Sequence, residues 1–118
     1  MMQGLDLRHN SYGYIGASDF TMYPVLQPGS FLLIDETRRR VVNGIWRNEF
    51  ERPIYFIETR EAFYCGWCTL SDGTLTVLAH PSSGVAPRTF RHDSEAEIIG
   101  QVVGVACLLE SRKRRKET

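Results

Sequence analysis

A short turn sequence, Ser71-Asp72-Gly73, constrains the fold of this chain more than any other feature. Residues typical of strands flank it on both sides, over Ala62–Leu70 and Thr74–Ala79. Asp-Gly readily adopts the positive φ angles that a tight hairpin turn requires. The two flanking runs are therefore predicted to pair as an antiparallel hairpin.

Further apolar runs have the length and composition of strands. They are Phe31–Ile34, Ile54–Thr59 and Ile98–Leu109, with a shorter edge strand predicted at Tyr14–Gly16. Phe31–Ile34 is expected to be a central strand that is buried on both faces, because all four of its residues are apolar. Gly100 and Gly104 indicate bends or a close approach of the backbone within the last run.

Prolines and glycines leave little room for helices. Pro24 and Pro28 limit any helix capped by Ser18 or Asp19 to a single turn. His80–Asp93 contains two prolines and a glycine, so it is predicted to be an irregular crossing loop. No sustained helical pattern exists elsewhere, so the fold class is mainly β: hairpins and crossing strands with at most one short helical turn.

The 118 residues predict one domain with two short extensions. We expect an N-terminal arm over 1–13, a β domain over 14–110 and a basic tail over 111–118. Five of the 14 basic residues lie in Arg112–Lys116, whereas 13 of the 14 acidic residues precede them. The body is therefore mildly acidic and is not an obvious phosphate binder, because nucleic-acid affinity depends on neutralising phosphates.

Nothing in the sequence indicates a membrane, a metal or a cofactor. No apolar run is long enough for a membrane span, and Met1–Arg8 lacks the apolar centre of a signal peptide, so a cytoplasmic protein is expected. Cys65 and Cys68 have the spacing of a redox or zinc pair, but a strand places residues three apart on opposite faces. Without a second paired spacing, ordinary reduced cysteines are the prediction.

One stretch resembles a known family. Thr21–Ser30, Thr-Met-Tyr-Pro-Val-Leu-Gln-Pro-Gly-Ser, is similar to the Ser-Met-x-Pro-x-Leu-x-x-Gly-Asp signature of the LexA-like domain. That domain is the C-terminal half of LexA and of many phage-type helix-turn-helix repressors, and it is related to signal peptidases. The order and spacing of the later strand runs agree with the family over residues 14–110. The resemblance implies a LexA/signal-peptidase-like fold.

The resemblance also implies a serine nucleophile with a neutral lysine as its base, since a desolvated amine can accept a proton near neutral pH. The serine position falls on Thr21, and the lysine position falls near Gly66. The only lysines of the chain, Lys113 and Lys116, lie in the tail. Residues 1–20 also lack the Ala-Gly or Cys-Gly bond that self-cleaving members carry. We therefore expect a degenerate dyad and no autoproteolysis.

The expected function is that of a non-catalytic C-terminal domain of a transcriptional regulator, which mediates dimerisation or binds an effector or partner. One face of the terminal strand is a candidate homodimer interface: Val103, Val105, Cys107 and Leu109. The alternative is that both faces of this strand belong to the core. DNA would be contacted only indirectly, through a helix-turn-helix domain that precedes this fragment, unless the chain is a stand-alone relative.

Two other functions remain open. One is a hydrolase in which Thr21 acts with His80 or His92 as its base. The other is a sensor that binds a small molecule or a peptide in the former cleft. The residues expected to form that cleft are Asp19, Thr21, Met22 and Trp67.

Overall fold

The computed structural model describes residues 10–42 and 44–106, which form a curled sheet of seven antiparallel strands. The strands are β1 (Asn10–Tyr14), β2 (Phe31–Asp35), β3 (Tyr55–Thr59), β4 (Phe63–Ser71), β5 (Thr74–Leu78), β6 (Arg88–Arg91) and β7 (Ala96–Ala106), with a 3-10 helix at Pro81–Ser83. Their order in the sheet is β1-β2-β7-β3-β4-β5-β6. The predicted mainly β class is confirmed. None of the helical structure in the described part of the chain has the length and apolar character that crossing a bilayer would need.

β4 and β5 form the predicted hairpin. Ser71 pairs with Thr74, so Asp72 and Gly73 make a two-residue turn with φ angles of 52° and 77°. A turn with two positive φ angles has a twist that matches the strands on either side, and Asp and Gly both tolerate this conformation. The local sequence is therefore sufficient to determine this hairpin.

Two strands differ from the prediction. The edge strand expected at Tyr14–Gly16 lies earlier in the chain, as β1, and shares only Tyr14 with the predicted range, whereas β6 was not predicted at all. β1 occupies part of the expected N-terminal arm, and β6 lies inside the expected crossing loop. The sequence pattern does not reveal β1 because its inward positions are Ser11 and Gly13 rather than apolar residues. Gly13 is required there, since an added Cβ would lie 2.8 Å from the ring of Phe56 on β3.

β2 is fully buried on one face only, so the prediction of burial on both faces is wrong. Leu32 and Ile34 are buried, whereas Phe31 is exposed and Leu33 is partly exposed. β2 is the second strand of the sheet and lies beside the edge strand β1. Its side chains therefore alternate between the core and the surface with the period of two that a strand imposes.

β7 runs between β2 and β3 and carries two irregularities. Its pairing shifts by one residue at Val103 against β2 and at Ile99 against β3, the pattern of a β-bulge in each ladder. An added Cβ at Gly100 would collide with the carbonyl group of Asp35, which confirms the predicted close approach of the backbone. At Gly104 the nearest atom would be 3.4 Å away, so that position is less crowded.

Alternate residues of β3 and β4 contribute to two separate hydrophobic clusters. The first cluster contains Ile15, Met22, Leu26, Leu32, Ile34, Phe56, Cys65 and Trp67. The second contains Val41, Tyr55, Ile57, Cys68, Leu75, Val77, Ala96 and Ile98. The first cluster includes residues from the loop between β1 and β2, so it fixes the position of that loop against the sheet.

Candidate functional site

The loop between β1 and β2 carries the expected nucleophile position, Thr21. At its base the Ile15 N–H donates to the carbonyl oxygen of Ser30 at 2.9 Å. Within it, Asp19 Oδ1 accepts two hydrogen bonds from Thr21, one from the N–H at 3.0 Å and one from the hydroxyl at 2.6 Å. Of the two predicted caps, Asp19 therefore closes the turn, in the manner of an Asx turn.

Thr21 is buried and hydrogen-bonded through its side chain and its backbone. Its side chain and backbone together are 3% exposed. Its carbonyl oxygen accepts a hydrogen bond of 2.8 Å from the His80 N–H. Because the hydroxyl donates to Asp19, a nucleophilic role would require a base that competes for the same proton.

The same turn geometry occurs a second time, at Asp35-Glu36-Thr37. Thr37 donates to Asp35 Oδ1 from its N–H at 3.0 Å and from its hydroxyl at 2.6 Å, the same distances as at Thr21. These two bonds are exposed, in contrast to those of Thr21. An Asp-x-Thr sequence thus closes two different turns in this chain, so the contact between Asp19 and Thr21 is not in itself a sign of catalysis.

Position 66, near which the resemblance places a lysine, has no room for a side chain. Gly66 is buried on β4, and an added Cβ would lie 2.6 Å from the carbonyl oxygen of Leu78 and 2.9 Å from Val77 Cγ1. Because protein interiors are close-packed, a larger residue would require β5 to move away from β4. Lys113 and Lys116 lie outside the described residues.

His80 lies beside Thr21, but its ring is engaged by other groups. Nδ1 accepts a hydrogen bond of 3.0 Å from the Ser82 N–H, so in the neutral ring Nε2 carries the proton and donates to Glu49 Oε1 at 2.8 Å. The buried ring lies 5.7 Å from that of Trp67, centroid to centroid. His80 is the N-terminal cap of the 3-10 helix, which gives the side chain a structural role.

His92 lies at the β4–β5 turn. Its N–H donates to the carbonyl oxygen of Gly73 at 2.8 Å, and its Nε2 is 3.6 Å from Asp93 Oδ1. It lines a surface depression with Asp72 and Glu95 that does not include Thr21. Within residues 10–42 and 44–106, no hydrogen bond joins a histidine ring to the Thr21 hydroxyl.

Cys65 and Cys68 are buried in different hydrophobic clusters, so they lie on opposite sides of β4. Burial raises the pKa of each thiol to about 12, which keeps both protonated at neutral pH. Redox-active pairs depend on the opposite effect, a lowered pKa. In the described part of the chain, no three His, Cys, Asp or Glu side chains are grouped to hold a metal ion.

A groove of about 370 Å³ runs beside the Asp19–Thr21 turn. Residues 16–21 line it, together with Tyr64 of β4, Arg88 of β6 and Val85, which precedes β6. The Arg88 guanidinium carbon lies 4.6 Å from the centroid of the Tyr64 ring, a cation–π contact. Sequence reasoning missed these three residues because the fold brings them beside the turn from distant parts of the chain, and because β6, which carries Arg88, was not predicted. The alternation in Arg88-Thr-Phe-Arg is the only local signal of that strand.

The residues predicted for the former cleft fall into two sets. Asp19 and Thr21 line the groove, whereas Met22 and Trp67 are buried in the first hydrophobic cluster. The Arg52 guanidinium lies 5.4 Å from the centroid of the Trp67 ring, and Trp67 Nε1 is buried without a hydrogen-bond partner in the described structure. Met22 and Trp67 therefore do not form the surface of the groove.

The predicted dimer face is described only in part. Val103 and Val105 are 42% and 50% exposed, so neither is covered by the described residues of the chain. Cys107 and Leu109, the other two residues of that face, lie outside the described residues. The two exposed valines do not belong to the core, so the alternative that both faces of this strand are core is wrong for Val103 and Val105.

Comparison with known proteins finds no family model that matches this chain and no match among curated proteins.

Proposed function

We propose that this chain is a non-catalytic, LexA-like domain of a transcriptional regulator, which acts in the cytoplasm by joining two chains or by binding an effector. The observation that carries the non-catalytic part is the engagement of Thr21, whose hydroxyl donates to Asp19 and meets no nitrogen base among the described residues. A hydroxyl without a proton acceptor of suitable basicity is a poor nucleophile.

The packing at Gly66 supports the same conclusion. The resemblance places the base near this position, and the adjacent strand β5 fills the space that its side chain would need. His80, the other nitrogen base close to Thr21, is hydrogen-bonded at both ring nitrogens. In this proposal, contact with DNA belongs to a helix-turn-helix domain of the regulator and is only indirect for this domain.

A serine-directed fluorophosphonate tests the loss of catalysis. The purified chain should form no adduct in an intact-mass measurement, because no base activates Thr21. Thr37→Ala is the matched control for Thr21→Ala, since both residues occupy the same kind of turn. An adduct on the wild-type chain and on Thr37→Ala, but not on Thr21→Ala, would establish the hydrolase alternative instead.

The groove supports the effector-binding part of the proposal. Arg88 stacks on Tyr64 and makes no ion pair with any described residue. A guanidinium presents parallel N–H groups that match a carboxylate or a phosphate, and stacking on an aromatic ring holds it in place. The geometry therefore favours a small molecule or a peptide that carries an anionic group.

Thermal unfolding in the presence of carboxylate-bearing compounds and peptides tests this effector role. A ligand of the groove should raise the melting temperature, because it binds only the folded state. The shift should disappear in Arg88→Gln and persist in Arg91→Gln, a control on the same strand. Unchanged melting across a broad library, or an equal shift in both variants, would count against the groove.

A further inference from the structure

The outer edge of β1 presents unpaired backbone groups in the described structure. The Ile15 N–H donates to Ser30, on the side of β2, and the Ile15 carbonyl oxygen accepts from Gly29 on that same side. Peptide groups alternate in direction along an antiparallel strand, so the N–H and C=O groups of Tyr12 and Tyr14 point away from β2. β1 is the first strand of the sheet, and no described strand pairs with that edge.

The opposite edge of the sheet, β6, is closed to further pairing. The Arg91 N–H donates to Glu95 Oε1 at 2.7 Å, and the Arg91 carbonyl oxygen accepts from the Glu95 N–H at 2.9 Å. Pro87, two residues before Thr89, also faces the outer edge, but proline has no N–H to donate. Because peptide groups alternate in direction, Thr89 is the one residue of β6 whose backbone N–H and C=O both remain free on the outer edge within the described structure. β6 is therefore a protected edge of the kind that limits aggregation, and β1 is not.

The surface beside the Tyr12–Tyr14 part of the open edge is apolar. Tyr12 and Tyr14 are 69% and 49% exposed, and they lie on the same face as their β2 partners Leu33 and Phe31. The rings of Tyr14 and Phe31 are 5.1 Å apart, centroid to centroid. An open strand edge that continues into an exposed aromatic face has the two components of a strand-addition interface.

We propose that a second copy of this chain pairs with β1, strand against antiparallel strand, about a two-fold axis at Gly13. This inference rests on the dimerisation part of the proposed function and places the interface on β1 rather than on Val103 and Val105. In this register Tyr12 lies opposite Tyr14 of the second copy. The backbone N–H and C=O groups of both residues point away from β2, so the two residues form a hydrogen-bonded pair across the interface.

Three features make β1 complementary to itself. The register creates two rows of apolar side chains across the joined sheet, each running from Leu33 through Tyr12 to Tyr14 and Phe31 of the second copy. Cross-strand aromatic pairs of this kind stabilise sheets. At the axis, Gly13 lies opposite Gly13 of the second copy in a non-hydrogen-bonded pair. The Cα atoms approach most closely in this type of pair, and neither glycine has a side chain to obstruct it. None of the paired residues is charged, so no like charges are brought together.

Light scattering of the full chain across a concentration series tests the interface. The wild-type chain should be a dimer, and Tyr12→Lys combined with Tyr14→Lys should raise the dissociation constant at least about tenfold. Val103→Lys combined with Val105→Lys should leave it unchanged, and all four side chains are exposed, so these variants should fold. Equal melting temperatures of the diluted proteins would verify that they do.

Amide hydrogen exchange gives a second, residue-specific readout. The Tyr12 and Tyr14 amides should become protected as the chain concentration rises, whereas the Gly13 amide, which points towards β2, should be protected at every concentration.

The outcomes separate this inference from the proposed function. A wild-type dimer that the valine variant dissociates and the tyrosine variant does not would overturn the β1 interface and keep the dimerisation proposal. Free exchange at Tyr12 and Tyr14 in a dimeric sample would also overturn it. A wild-type chain that stays monomeric would overturn both the β1 interface and the dimerisation part of the proposed function, without affecting the phosphonate result.

Discussion

Thr21 and Thr37 make the same pair of hydrogen bonds in different surroundings. Each donates from its N–H and its hydroxyl to a single carboxylate oxygen two residues earlier. Thr21 is buried, whereas the Thr37 turn is exposed to solvent. A hydrogen bond to a carboxylate is worth more where water cannot replace it, so the same contact should contribute differently to the stability of the fold.

Replacing each threonine by valine measures that difference. Thr21→Val keeps the side-chain shape and removes the hydroxyl donor, and we expect the free energy of unfolding to fall by about 1.5–3 kcal/mol. Thr37→Val should lower it by less than about 0.5 kcal/mol, because water can replace the lost donor. Urea denaturation of both variants provides the comparison. Equal losses would mean that burial of Thr21 does not strengthen its hydrogen bond.

At the level of strands, the contact between β4 and β5 leaves no space for a side chain at position 66, close to where the resemblance implies a lysine. Gly66 lies directly under the carbonyl group of Leu78, so β4 and β5 approach more closely than two side-chain-bearing positions would allow. Restoring a base at this position would therefore separate two strands of the sheet. Strand packing, as well as the residue itself, therefore leaves no room for a side chain at position 66.

Gly66→Ala should destabilise the chain, whereas Gly16→Ala should not. An added methyl group at position 66 meets backbone and side-chain atoms of β5, and overpacking of this kind costs about 1–3 kcal/mol. No heavy atom lies within 4 Å of an added Cβ at Gly16, so alanine there should be neutral or slightly stabilising. Chemical denaturation of the two variants checks this, and a stable Gly66→Ala would contradict the packing argument.

Across the whole molecule, what the sequence predicts correctly is what neighbouring residues determine. The β4–β5 hairpin follows from Asp72 and Gly73 together with the strand-forming runs on either side, and the runs that form β3, β4, β5 and β7 are recognisable from their composition. β1 was not recognisable, because the reason for Gly13 is a ring on β3 that lies more than 40 residues away in sequence. Contacts of that range leave no local pattern.

The candidate site divides in the same way. The Asp19–Thr21 turn is local and could be predicted, and so could the absence of a nearby lysine. The groove depends on Tyr64 and Arg88, which the sheet brings beside the turn from two other strands. Burial of Trp67 likewise follows from how the loop between β1 and β2 packs on the sheet, which no spacing in the sequence encodes.

Gly100 has a consequence for how the two parts of the sheet are aligned. β7 joins β2 on one side and β3 on the other, so its position along the strand direction sets that of both neighbours. A slip of two residues, the smallest that keeps each side chain on its own face, would bring Ile98 or Val102 to the Asp35 carbonyl group, where there is space for a hydrogen atom only. The absence of a side chain at Gly100 thus fixes the register of β7. It permits the observed alignment of the sheet and excludes the two alignments that differ from it by two residues.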